Sequence, residues 1–223
     1  MDEHLGLRER KKARTRRAIS EAAIALFLER GYDDVPVAEI AEAAEVSKRT
    51  LFAYFPTKDD LVLHRFADHE DEAARVVRDR AAGEPPLDAL RHHLQDALDR
   101  RDPISGLCDV PQVVAFYRLV SDTPTLRATL LRYQVRSVET LASALLDAAP
   151  GAPQPQLTAR LAANQIQAVL RELADYNQQR IAAGANAEDL APIARAEAEH
   201  AFTLLRAGLT PYTTEPRGTS HIQ

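Results

Sequence analysis

Residues 35–60, VPVAEIAEAAEVSKRTLFAYFPTKDD, constrain this chain more than any other stretch. Val37, Ile40, Ala41 and Ala44 recur at the spacing of one helical face, which predicts a short helix burying a single apolar stripe. Glu45-Val46-Ser47 interrupts the pattern, and Ser47 has the side-chain oxygen needed to cap a second short helix over 48–54. Small Ala41 lets two helices cross closely, and Leu51 is the apolar anchor of the second against the first. The first turn of that second helix presents Lys48, Arg49 and Thr50. Long cationic and hydrogen-bonding side chains at the leading end of a helix suit a DNA major groove. The segment reads as a helix-turn-helix that contacts DNA.

Charge distribution agrees. The net charge of −5 argues against indiscriminate nucleic-acid binding, yet residues 8–17, RERKKARTRR, hold seven Lys or Arg against Glu9 alone. A basic arm on an acidic protein suits phosphate contact at one end. Downstream, Thr57-Lys58-Asp59-Asp60 reads as a capping box opening a fourth helix. Lys58 then lies at a positive helix terminus, where backbone amides also favour an anion.

The rest of the chain reads as helices separated by Gly and Pro. A first helix over 11–30 buries Ile19, Ala23 and Phe27 and ends at Gly31, and the fourth is expected to run unbroken to Arg80. Further helices are expected over 87–101, from Pro111, from Pro124, over 156–183 and over 188–207. VVAFYRLV, 113–120, is apolar nearly all round, which predicts a central sixth helix. With no alternating strand pattern and no repeat, the class is all-α: a small three-helix head and a larger helical body, about nine helices. Domains are expected at 1–56 and 57–212, with a polar, disordered tail over 213–223. The eighth and ninth helices carry apolar residues on more than one face, among them Leu161, Leu170, Ile193 and Leu204, and the second face wants a partner.

Several features in register resemble the TetR family of bacterial transcriptional regulators over residues 10–60. They are LFLERGY (26–32), IAEAA (40–44), Val46-Ser47, Thr50-Leu51-Phe52 and YFPTKDDL (54–61). Three positions depart from the pattern. Glu45 stands where the family usually has Gly, Phe52 where it usually has a Tyr hydroxyl, and Pro36 where Ser or Thr would cap the first helix of the pair. The resemblance implies a dimeric repressor, paired through the eighth and ninth helices as a four-helix bundle, that binds a palindromic double-stranded operator. It also implies an effector of unknown identity bound in the body. Candidate DNA contacts are Lys12, Thr15, Arg16, Ser47, Lys48, Arg49, Thr50, Tyr54 and Lys58; Phe52 lacks the hydroxyl to join them. Candidate effector contacts are His69, His93, Tyr117, Tyr133 and Asn164, polar residues among apolar neighbours. Arg118 is a sixth: buried in the sixth helix it would need a carboxylate, and otherwise its head reaches solvent.

Other classes lack their parts. There is no Gly-rich phosphate loop, no Cys/His metal framework and no nucleophile with a base, so no enzyme, cofactor or metal is expected. His64 and His69 are five residues apart and do not share a helical face well. The single Cys108 excludes an intramolecular disulfide and fits a reducing compartment. No run spans a membrane and no signal peptide is visible, so the cytoplasm is expected. Two alternatives stay open: a DNA-binding regulator controlled by a protein partner or by abundance, without a small-molecule ligand, and a helical interaction protein whose N-terminal pattern is accidental.

Overall fold

A computed structural model of the chain describes residues 6–67, 69–209 and 212–213. Among the described residues there are ten α-helices, one short 3-10 turn and no strand. The helices are α1 (Leu7–Arg30), α2 (Val37–Ala43), α3 (Lys48–Tyr54), α4 (Lys58–Ala67), α5 (Glu72–Asp79), α6 (Pro86–Asp99), α7 (Pro111–Asp122), α8 (Pro124–Ala148), α9 (Pro155–Ala182) and α10 (Ala187–Gly208). The 3-10 turn is Pro103–Ser105. The tail expected over 213–223 lies, beyond Thr213, outside the described residues.

Packing divides the chain into two compact units. The first joins Met1–Ala67 to Ala115–Leu131, and the second joins Asp68–Val114 to Arg132–Gln223. In the first unit α1 packs on α2 and α4, and α2 on α3. Ile19, Phe27, Ile40 and Leu51 are buried as expected, and so are Phe55 and Leu61.

The second unit has two apolar clusters. One gathers Val77 of α5, Leu87 and Leu90 of α6, Leu141 and Leu145 of α8, Ile166 of α9 and Phe202 of α10. The other gathers Leu98, Leu107, Ile181, Leu190 and Ala198. Beside the second, Gly106 sits at φ 73°, and a Cβ there would lie 2.0 Å from the Ala174 carbonyl oxygen. Only glycine allows that approach, and it seats the 3-10 turn on α9, where Asn177 Nδ2 donates to the Ser105 carbonyl at 3.0 Å.

Three expectations are corrected. The fourth helix does not run unbroken to Arg80: it ends at Ala67, and α5 starts at Glu72. The stripe Val62, Phe66, Ala73, Val77 looks continuous, but its two halves serve different cores. Phe66 stacks on Phe116 at 5.9 Å in the first unit, while Ala74 and Val77 are buried in the second. The sixth helix, α7, is not buried all round, since only Phe116 and Val120 are buried and Arg118 is exposed. An apolar surface disfavours water, but neighbours decide whether it is covered. Finally, α1 begins at Leu7, so the basic arm lies within helical turns and not ahead of them.

Candidate nucleic-acid interface

The start of α3 is built locally. Ser47 has extended backbone angles, and its Oγ accepts the Thr50 backbone N–H at 3.0 Å. The Thr50 hydroxyl lies 2.8 Å from the same oxygen, so the two hydroxyls are engaged with each other. Leu51, fully buried, anchors the helix from below. Lys48 and Arg49 are exposed on the first turn and have no carboxylate partner among the described residues; Tyr54 is half-buried near its end.

The turn that aims α3 is closed by backbone alone. Val46 N–H donates to the Ala41 carbonyl at 2.9 Å and Glu45 N–H to the Glu42 carbonyl at 3.0 Å, the two bonds of a Schellman motif. Glu45 takes the left-handed position of that motif, φ 53°. Pro36 is the N-cap of α2 and offers no side-chain acceptor. Arg30, at the end of α1, pairs with Glu39 of α2 and donates to the Asp34 carbonyl at 3.2 Å, holding the helix pair against α1.

On α1, Lys12, Thr15 and Arg16 fall at i, i+3 and i+4 and so share a face. Lys12 is exposed and the other two are half-buried. Arg16 lies over the Phe55 ring, 5.6 Å from its centroid, and Phe55 is the C-cap of α3. This contact brings the basic face of α1 to the end of α3.

The capping box of α4 forms as expected: Thr57 N–H donates to Asp60 Oδ2 at 2.9 Å, and Asp60 N–H to Thr57 Oγ1 at 3.2 Å. Lys58, however, turns back into the head. Its ammonium bonds the Tyr32 carbonyl and lies 4.4 Å from the Tyr32 ring centroid and 5.4 Å from that of Phe27. Asp59 is a junction that sequence reading missed. Its carboxylate accepts from the Tyr32 hydroxyl and, at 2.5 Å, from the Thr129 hydroxyl of α8. Burial and the bond to Asp59 push the Tyr32 phenol well above its ordinary value. Ser20 donates to the Leu61 carbonyl at 3.2 Å, a further tie of α1 to α4. Tyr32 carried a local signal, in Gly31-Tyr32, but a partner seventy residues from Asp59 leaves none.

The candidate effector residues divide between the two units: Tyr117 and Arg118 belong to the first, and His69, His93, Tyr133 and Asn164 to the second. His69 Nδ1 and His93 Nε2 meet on the two oxygens of Glu72, at 2.7 and 3.1 Å. Tyr117 is edge-on to Phe66 and Phe116 in the first unit. Tyr133 is half-buried, with Arg136 4.7 Å from its ring centroid. Arg118 is exposed, so its head reaches solvent, the second of the two alternatives for it. One placement is a correction. Asn164 is exposed on α9 and donates to the Arg160 carbonyl of its own helix at 2.8 Å, because it falls on the face opposite buried Ala162, Ala163 and Ile166. Among the described residues no group of His, Cys, Asp and Glu could hold a metal, and no helix is long and apolar enough to cross a membrane.

Comparison with known proteins bears on the head directly. Residues 19–64 match the family model described as bacterial regulatory proteins, tetR family. The chain is 38% identical over 128 residues to the HTH-type transcriptional regulator TcmR of Streptomyces glaucescens, a stretch covering 57% of each chain. The chain thus spans little more than half the length of this relative. Among solved structures, GusR of Salmonella enterica superposes with a TM-score of 0.53 at 22% identity, covering 88% of this chain and 95% of that one. SmeT, solved as a triclosan complex, superposes at 0.52 and 16% identity, covering 87% and 90%.

Proposed function

We propose that the chain is a member of the TetR family of bacterial regulatory proteins, as the match over residues 19–64 and the likeness to TcmR support, and that it is a sequence-specific DNA-binding transcriptional regulator of the cytoplasm. It acts as a dimeric repressor that a small-molecule effector releases from a palindromic operator. One observation carries the reading: Lys48 and Arg49 stand exposed on the first turn of a helix capped by Ser47 and anchored by buried Leu51. The capped helix fixes the backbone that carries these cations, so only their side chains need to be ordered on DNA. Arg49 reads a base edge, with Lys48 and Thr50 beside it. Lys12 and Arg16 neutralise phosphates, and Thr15, Ser47 and Tyr54 supply shorter hydrogen bonds. Lys58 joins them through the two ammonium hydrogens that its bond to Tyr32 leaves over. In this reading 1–56 is the DNA-binding segment and 57–212 the effector and dimer body.

Dimerisation is supported by Leu157 and Leu161 of α9 and by Ile193 and Leu204 of α10, each at least half exposed. A second copy would cover them. Two heads on a two-fold axis would read two half-sites, which one short helix cannot do. A small-molecule effector is proposed on the precedent of SmeT, a protein of the same fold solved with triclosan.

The test is binding to a duplex selected from a random library. Arg49→Ala should cost about 1–3 kcal/mol on the selected site and little on random DNA. Lys12→Ala should weaken both alike and flatten the salt slope by about one. Absence of salt-dependent binding to any duplex would reject the DNA reading, and equal loss on both duplexes would make Arg49 a phosphate contact.

A further inference from the structure

Phe52 alone of the chain's six phenylalanines is exposed, at 45%. It is also the only large apolar side chain exposed on α2, α3 or α4. Leu51 and the C-cap Phe55 take the buried side of α3, which leaves Phe52 on the outer side. Residues three and four apart on a helix are surface neighbours, so Phe52 lies one turn on from Lys48 and Arg49 and beside both. Ala53 next to it is exposed too, and no residue of α3 is acidic. The outer side of α3 is therefore an apolar ring set against two cations. Whatever covers the ring must suit those cations. A second copy packed on this face about a two-fold axis would bring Lys48 and Arg49 up to their own counterparts, like charge on like. A nucleic-acid backbone suits both. The ring itself neither donates nor accepts a hydrogen bond, so it adds nothing to a phosphate contact. Among the base edges of a major groove, the apolar group on offer is the thymine methyl.

We propose that Phe52 is a specificity-determining residue: its ring packs on a thymine methyl in the major groove while Lys48 and Arg49 hold the same helix to the DNA. The contact adds a preference for thymine beside the base edge read by Arg49. It rests on the DNA-binding reading above, and its test separates the two.

The probe is the duplex selected from a random library, with its thymines replaced one at a time by uracil, which pairs with adenine in the same way and lacks only the methyl. Wild type should bind roughly three- to fivefold more weakly when the contacted thymine is replaced, the effect of one lost methyl contact. Phe52→Ala should bind the thymine and uracil duplexes equally, with the salt slope of wild type, because no charge is lost. A merely structural role would instead weaken both duplexes alike and keep the preference, which overturns the contact. If the alanine protein does not fold, wild type is crosslinked to a duplex carrying iodouracil at that thymine, where iodine takes the place of the methyl. The label should fall on Phe52, and a label elsewhere overturns the contact. A wild type that binds DNA with a salt dependence but tolerates uracil at every thymine overturns the role of Phe52 alone and leaves the DNA reading standing. Absence of binding to any duplex rejects that reading, and the thymine contact with it.

Discussion

Glu45 shows what one residue costs a tight turn between helices. Its left-handed backbone, φ 53°, is required by the Schellman turn that aims α3, and a side chain there crowds its own carbonyl. Glycine removes that strain but brings extra freedom to the unfolded chain, which offsets part of the gain. Glu45→Gly should therefore raise stability by up to about 1 kcal/mol, read as a shift in the denaturation midpoint. A loss would mean that the Glu45 side chain makes a stabilising contact. The same scale explains Lys58: its place in the capping box is local, whereas the aromatic bed of Phe27 and Tyr32 comes from another helix and the loop after it.

At the scale of elements, Glu72 ties the start of α5 to His93 of α6 and to His69 just before it. Burial alone would raise its carboxyl, but the hydrogen bonds from His69 and His93, with their charges, hold it well below the ordinary carboxylate range. As pH falls through that range the unfolded chain takes up the proton first, so this contribution is present at neutral pH and is lost in acid. Glu72→Gln should consequently be less stable than wild type near neutrality, with the gap narrowing below about pH 5. Denaturant midpoints against pH are the measurement. A gap that stays constant across the range would show that the carboxylate charge is irrelevant and that only packing was lost.

For the whole molecule, the proposed dimer turns on which face of α9 and α10 is left open. Leu170, apolar in sequence, packs within the chain's own core, so a charge there would damage the protomer. Leu161 and Leu204 are exposed at 53% and 63%, which makes them the residues to charge. Leu161→Glu or Leu204→Glu should leave the helical fold intact and raise the dimer dissociation constant at least about a hundredfold, since each copy buries an unpaired carboxylate. DNA affinity should fall with it, through loss of effective concentration. Sedimentation of wild type and variants decides this: a wild type that is monomeric at micromolar concentration sinks the dimer.

Local signals made the head legible. The periodicity of Val37, Ile40 and Ala41, the Ser47 cap, and the Thr57–Asp60 box act within one or two helical turns, so neighbouring residues suffice to specify them. Most of the candidate DNA residues lie on those elements, which is why α3 was bounded correctly. What long-range packing decided left no such trace: the break after Ala67, the exposure of Arg118 and Asn164, the junction of Tyr32 and Thr129 on Asp59, and the burial of Tyr212. Each depends on partners brought from distant parts of the chain, and an apolar or polar residue looks the same in sequence whether a neighbour covers it or water does.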